Sequence, residues 1–183
     1  NQIDGKMRAE VRGELLMNFI SFRVPAIPVA QPRQRHRLIT TKTGNQFVNN
    51  FTPAKHPVQD FKATVRHACR EAYAGAPLDV PIELRVVFIM PRPGRLIWKT
   101  KPMPRERHCS KPDIDNLLKS LKDALNEIAW RDDGQIFRVD ACKMYAAGDE
   151  QPCVEVEILS GDCANSPAKS GPTLFEAVGS GSK

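Results

Sequence analysis

The chain has 183 residues, a length that fits one domain with tails and excludes a multidomain machine. Twenty-seven Lys and Arg against 21 Asp and Glu leave a formal net charge of +6, which favours polyanionic partners, nucleic acid first. An apolar share of 41% with 15 prolines predicts that part of the chain stays unpacked, and five scattered cysteines with no Cys-x-x-Cys pair suggest neither a disulfide framework nor a zinc knuckle but fit a reducing cytoplasm.

The first residue is Asn, and Met17 is the expected start, with residues 1–16 as a non-core extension. Lys6, Arg8 and Arg12 ahead of an apolar patch faintly resemble a secretion signal, but Glu10, Glu14 and Arg23 argue against one. Asn18, Ser21, Arg23, Pro25 and Pro28 interrupt the apolar stretch 15–30, so no membrane span is expected. Residues 18–24 form two interleaved sets that predict a strand closing at Pro25. Three prolines follow, and then Arg33, Arg35 and Arg37, alternate positions that share one side of an extended chain and are expected to contact phosphates. Residues 37–41 and 46–51 read as a hairpin turning through Gly44 and Asn45.

From Pro57 the apolar period becomes helical, with Val58, Phe61, Val65, Ala68, Cys69 and Ala72 on one face until Gly75. Residues 81–90 (PIELRVVFIM) read as a buried strand, and residues 91–111 as a long basic loop, in which Arg105, Arg107 and Lys111 are candidate DNA contacts. Ile114, Leu117, Leu118, Leu121, Ala124, Leu125 and Ile128 then predict a helix over 113–128. Two strands, 135–146 and 152–159, are expected to pair with each other. Residues 161–183 lose all periodicity and read as a disordered tail, so the folded body spans 17–160.

The chemistry concentrates in two acidic pairs, Asp113 with Asp115 and Asp132 with Asp133. In a continuous helix Asp113 and Asp115 would point about 200° apart. They converge only if Asp113 is the non-helical N-cap, a position that Asp favours. Capping and the helix dipole would explain that pair alone, and an Asp-Gly turn would explain the other. In a basic protein the acids also suit a hard cation such as Mg2+, which one or two carboxylates, waters and substrate phosphates hold and which serves phosphodiester hydrolysis. Lys119, four residues after Asp115, reads equally as an ordinary ion-pair partner and as a cation that stabilises a reacting phosphate. The separate histidines 36, 56, 67 and 108 offer no zinc spacing, and Trp98 and Trp130 are candidates for base stacking, with Trp130 better placed for the core.

The run K-P-D-I-D-N-L-L-K from Lys111 to Lys119, with W-x-D-D-x-Q from Trp130 to Gln135, resembles the RusA family of Holliday junction resolvases, over about residues 17–160. The resemblance implies an α+β fold, a small mixed sheet packed against two helices, that forms a homodimer and cuts four-way DNA junctions with Mg2+, with Mn2+ as an alternative, in recombination and repair. Position by position it implies metal-binding roles for Asp113, Asp115 and Asp133, a catalytic role for Lys119, and supporting roles for Asn116 and Asp132. The 91–111 loop is longer than in compact members. Residues 172–175 (PTLF) faintly resemble motifs that dock on sliding clamps. The competing class is a catalytically silent DNA-binding protein on the same fold, which would be expected to lack one of these acids; all are present.

Overall fold

A computed structural model describes residues 18–32, 35–41, 43–51, 55–98 and 100–160. Arg33, both chain ends and the 172–175 motif lie outside these residues. Among the described residues, seven strands and two α-helices occur in the order β1 (Asn18–Val24), β2 (Arg35–Thr40), β3 (Gln46–Phe51), α1 (Val58–Ala72), β4 (Ile82–Met90), β5 (Glu106–Arg107), α2 (Ile114–Leu125), β6 (Ile136–Tyr145) and β7 (Cys153–Ser160). The main sheet has the order β1-β7-β4-β6-β5, with β4 parallel to β6 and antiparallel to β7, so it is mixed, as expected. Among the described residues β2 and β3 pair only with each other, and Gly44 takes the positive φ of +85° that their turn requires.

The expected pairing of the last two strands is corrected: β4 lies between β6 and β7. Its residues from Val86 to Met90 are all buried, and their side chains alternate between two cores. A strand covered on both faces belongs in the sheet interior, with a neighbour on each side. Val86 and Phe88 join the main core between the sheet and both helices, together with Phe61 and Val65 of α1 and Leu117 and Leu121 of α2. Val87 and Ile89 join a smaller cluster on the opposite face with Met144, Ala146 and Cys153.

The basic loop is largely irregular, yet it is stapled. The Arg92 side chain is only 3% exposed and donates to the Ala146 carbonyl (2.8 Å), the Glu106 carboxylate (3.2 Å) and the Pro104 carbonyl. Arg105 lies forked between two acids: Nε donates to Glu150 (3.0 Å), while Nη1 and Nη2 donate to Glu155 (3.1 and 2.8 Å). These bonds tie the loop to β7 and to the turn before it.

Candidate active site

α2 begins where the sequence places the cap. Asp113 has extended backbone (φ −71°, ψ 144°) and its carbonyl accepts from Leu117 N (3.2 Å), so it is the N-cap. Its carboxylate makes no capping bond. The usual reason for an Asp at this position, bonding to the N2 or N3 amide, is therefore absent. Asp115 follows in the first turn, and Leu117, Ser120, Leu121, Ala124 and Leu125 form the buried face. Ser120 Oγ donates to the Val29 carbonyl (2.6 Å), and Gln31 N donates to the Asn116 carbonyl (2.8 Å), which seats the proline-rich segment on α2. Asn116, expected to fix the carboxylates, makes this contact through its backbone.

α2 ends at Leu125, three residues short of the expected end, because the chain reverses at once. Glu127 takes a left-handed φ of 63° and its N–H donates to the Trp130 carbonyl (2.7 Å). Ile128 still packs on the core, but from the reversal rather than from the helix. Trp130 is fully buried, which removes it as a base-stacking candidate, and its Nε1–H donates to Asp133 Oδ1 (2.9 Å). Asp132 accepts from Gly134 N (2.7 Å), and the Gln135 side chain accepts from Asp132 N (2.9 Å), a reciprocal capping box. Asp132 therefore shapes the turn, while Asp133 is turned back toward α2, where Lys122 Nζ lies 3.6 Å from its Oδ2.

The result is an open cleft of about 400 Å³ lined by Asp115, Leu118, Lys119, Lys122, Asp123, Asp133 and Val139. Asp115, Lys119 and Lys122 form one i, i+4, i+7 stripe of α2, so Lys122 was legible beside Lys119 from helical spacing alone. Asp123 is held by Lys62 of α1 (2.9 Å). Asp113 is exposed at the helix start and outside the cleft lining. Among the described residues, the side chains of Asp113, Asp115 and Lys119 have no hydrogen-bond or ion-pair partner. The three expected metal acids do not close into one tight cluster; the only grouping of metal-ligating side chains that close, among the described residues, is Glu150, Cys153 and Glu155. Arg105 and Arg23 already engage that grouping, with Arg23 Nε donating to Cys153 Sγ at 3.0 Å, so it is an ion-pair network. The cleft fits a hard cation better: unpartnered Asp115 and the oriented Asp133 supply carboxylate oxygens, and an open site leaves room for waters and phosphates.

The expected DNA contacts divide. Arg107 on β5 and Lys111 are exposed, and Arg35 and Arg37 occupy alternate positions of β2. Arg105 is engaged within the fold by two acids. Its neighbours Glu150 and Glu155 neutralise it and raise its pKa, so its charge is committed inside the fold.

Comparison with known proteins follows the same lines. The family model described as endodeoxyribonuclease RusA matches residues 25–159. An uncharacterized protein of Bacillus subtilis (strain 168), YqaN, is 31% identical over 147 residues, covering 78% of this chain and 96% of that protein. The crossover junction endodeoxyribonuclease rusA of Lactococcus phage r1t is 34% identical over 84 residues, covering 44% of this chain and 55% of the phage protein. With its mixed sheet, its two helices and its acids at the start of α2 and in the turn after it, the chain belongs to the RusA endodeoxyribonuclease family.

Proposed function

We propose that this protein is a metal-dependent, structure-selective endodeoxyribonuclease that resolves four-way DNA junctions as a homodimer, in recombination and repair. The observation that carries the reading is the cleft in which Asp115 and Asp133 share a surface with Lys119 and Lys122. Acids alone would repel a phosphodiester; the lysines beside them would attract it, and a divalent cation held by the acids would offset their charge.

Asp115 and Asp133 would hold the cation, and Asp113, one residue before the helix, is the third candidate ligand. Bound there, Mg2+ or Mn2+ supplies an activated water and charge stabilisation at the leaving oxygen. The chain's own groups do the rest. The Trp130 N–H fixes the Asp133 carboxylate. Lys119, free of any partner among the described residues, is available to a non-bridging phosphate oxygen, where an ammonium opposes the charge that builds on the phosphate. Lys122 is bound to Asp133 and can exchange that contact for the phosphate. Arg107 and Lys111 flank the segment leading into α2 and would track the backbone.

The test is direct: a synthetic four-way junction and its matched duplex are incubated with the protein, with and without Mg2+. Paired cuts in the junction alone, and only with metal, are expected. Equal cutting of duplex, or cutting in chelator, would sink the proposal; tight junction binding with no cutting under any metal would favour the silent DNA-binding protein.

A further inference from the structure

Asp113 reaches the start of α2 without the side-chain bond that usually fixes an N-cap, so its placement depends on the backbone that precedes it. That backbone is gripped by one side chain. Lys143 Nζ donates to the carbonyls of Ser110 (2.8 Å) and Pro112 (2.6 Å), the second belonging to the residue immediately before Asp113. Lys143 lies on β6 opposite Phe88, a main-core residue, and so on the helix-covered face of the sheet. The same residue's carbonyl accepts from His108 N (3.0 Å), and Ser110 Oγ lies 3.3 Å from the Tyr145 hydroxyl and 3.4 Å from His108 Nε2. β6 therefore holds the 108–112 segment along its length.

The chemistry at Lys143 is unusual for a surface lysine. It is half-buried and spends its donors on neutral carbonyls, and no carboxylate pairs with it among the described residues. Its charge is felt locally: burial and then Lys143 lower the pKa of His108.

We propose that Lys143 is a positioning residue, which sets Asp113 at the edge of the metal site by fixing the Ser110 and Pro112 carbonyls. The inference rests on the metal-site reading of the cleft. It places a determinant of metal affinity on β6, 30 residues beyond Asp113, and acts as outer-shell partners of metal ligands do.

The test uses the full chain, with Mn2+ alone as the first probe and paramagnetic resonance of the free ion as the readout. Lys143→Met is expected to weaken Mn2+ binding about tenfold. It should lower junction-cutting kcat at limiting metal in parallel, with KM for the junction within about twofold of wild type. Lys143→Arg, which keeps charge and donors, should recover most of the loss. In an Asp113→Asn background, Lys143→Met should add nothing, because both changes remove the same contribution. Wild-type Mn2+ affinity in Lys143→Met, or a full further loss in the double variant, would overturn the assignment. If the Met variant does not fold, Lys143→Gln keeps amide N–H donors on a shorter side chain and should lose about threefold; unchanged affinity in that folded variant overturns it equally. Mn2+ binding by a wild-type protein that cuts no junction would remove the nuclease reading and leave the positioning role standing, whereas a wild type that binds no Mn2+ removes both.

Discussion

Asp115 and Asp133 carry different risks when changed. Asp115 has no partner to lose among the described residues, so Asp115→Asn should leave the fold intact while cutting falls at least about 100-fold, and junction affinity measured in chelator should stay near wild type. Near-normal cutting would remove Asp115 from the metal site. Arg105 makes the opposite case. Arg105→Met leaves Glu155 without its ion-pair partner and Glu150 with Arg23 alone, and should cost about 2–3 kcal/mol in chemical denaturation, with no change in the salt slope of junction binding. Arg107→Gln with Lys111→Gln should flatten that slope and leave stability alone. Glu150 adds a pH signature. Burial would raise its carboxyl, but Arg105 and the Ala147 N–H outweigh burial and hold it below its ordinary value of 4.5. The unfolded chain then binds the proton first, so this stability is full above about pH 4.5 and is lost as pH falls through the folded value. Glu150→Gln should flatten that acid limb; an acid limb as steep as wild type would show that Glu150 does not contribute.

The segment from Leu125 to Gln135 decides whether the second acidic pair meets the first. Helical periodicity suggested that the helix ran to Ile128, which would have carried the acids past the cleft. The left-handed Glu127 and the buried Trp130 instead fold the chain back against α2. Glu127→Gly should raise stability by up to about 1 kcal/mol, since glycine takes a positive φ without steric cost. Trp130→Phe removes the N–H that holds Asp133 and leaves a small cavity in the core where the indole was fully buried. It should cost about 2–3 kcal/mol and slow cutting about tenfold. A variant that is destabilised but cuts at full rate would show that the bond serves the fold alone. α1, β4 and the hairpin were legible within a few residues because each carries a clean period bounded by Pro or Gly. The place of β4 was legible only in outline: its apolar run announced burial, but proximity in sequence wrongly favoured pairing β6 with β7.

Resolution of a junction needs two opposed cuts, and among the described residues Asp115 and Asp133 line a single shared cleft. The sheet has an open side next to it. β5 pairs with β6 only at Met144 and Tyr145, so residues Ile136–Cys142 have no strand partner on that side among the described residues, and Phe137 and Val139 are 52% and 43% exposed. Antiparallel pairing of two copies about Val139 would set Arg138 opposite Asp140 of the partner subunit, a self-complementary two-fold arrangement. The expected outcome is a dimer of about 41 kDa, twice the 20.5 kDa chain, that Val139→Lys converts to monomer in sedimentation. Arg138→Asp should weaken the dimer, and added Asp140→Arg should restore it. A dimer unaffected by all three changes would place the interface elsewhere.

Composition and period alone settled the basic character of the chain, the two helices and most of the strand runs, because each is a local property of side-chain chemistry and spacing. The N-cap position of Asp113 was also readable, since two acids two residues apart can converge only across a helix boundary. What tertiary structure decided were the relations between distant residues: Asp133 beside Lys122, Arg105 closed inside an ion-pair network, and Lys143 holding the segment before Asp113. Each depends on a chain reversal or a strand order that no local window contains. Charge is the clearest case, because an arginine in the sequence carries the same +1 whether it faces DNA or two glutamates, and only burial beside a partner tells the two apart.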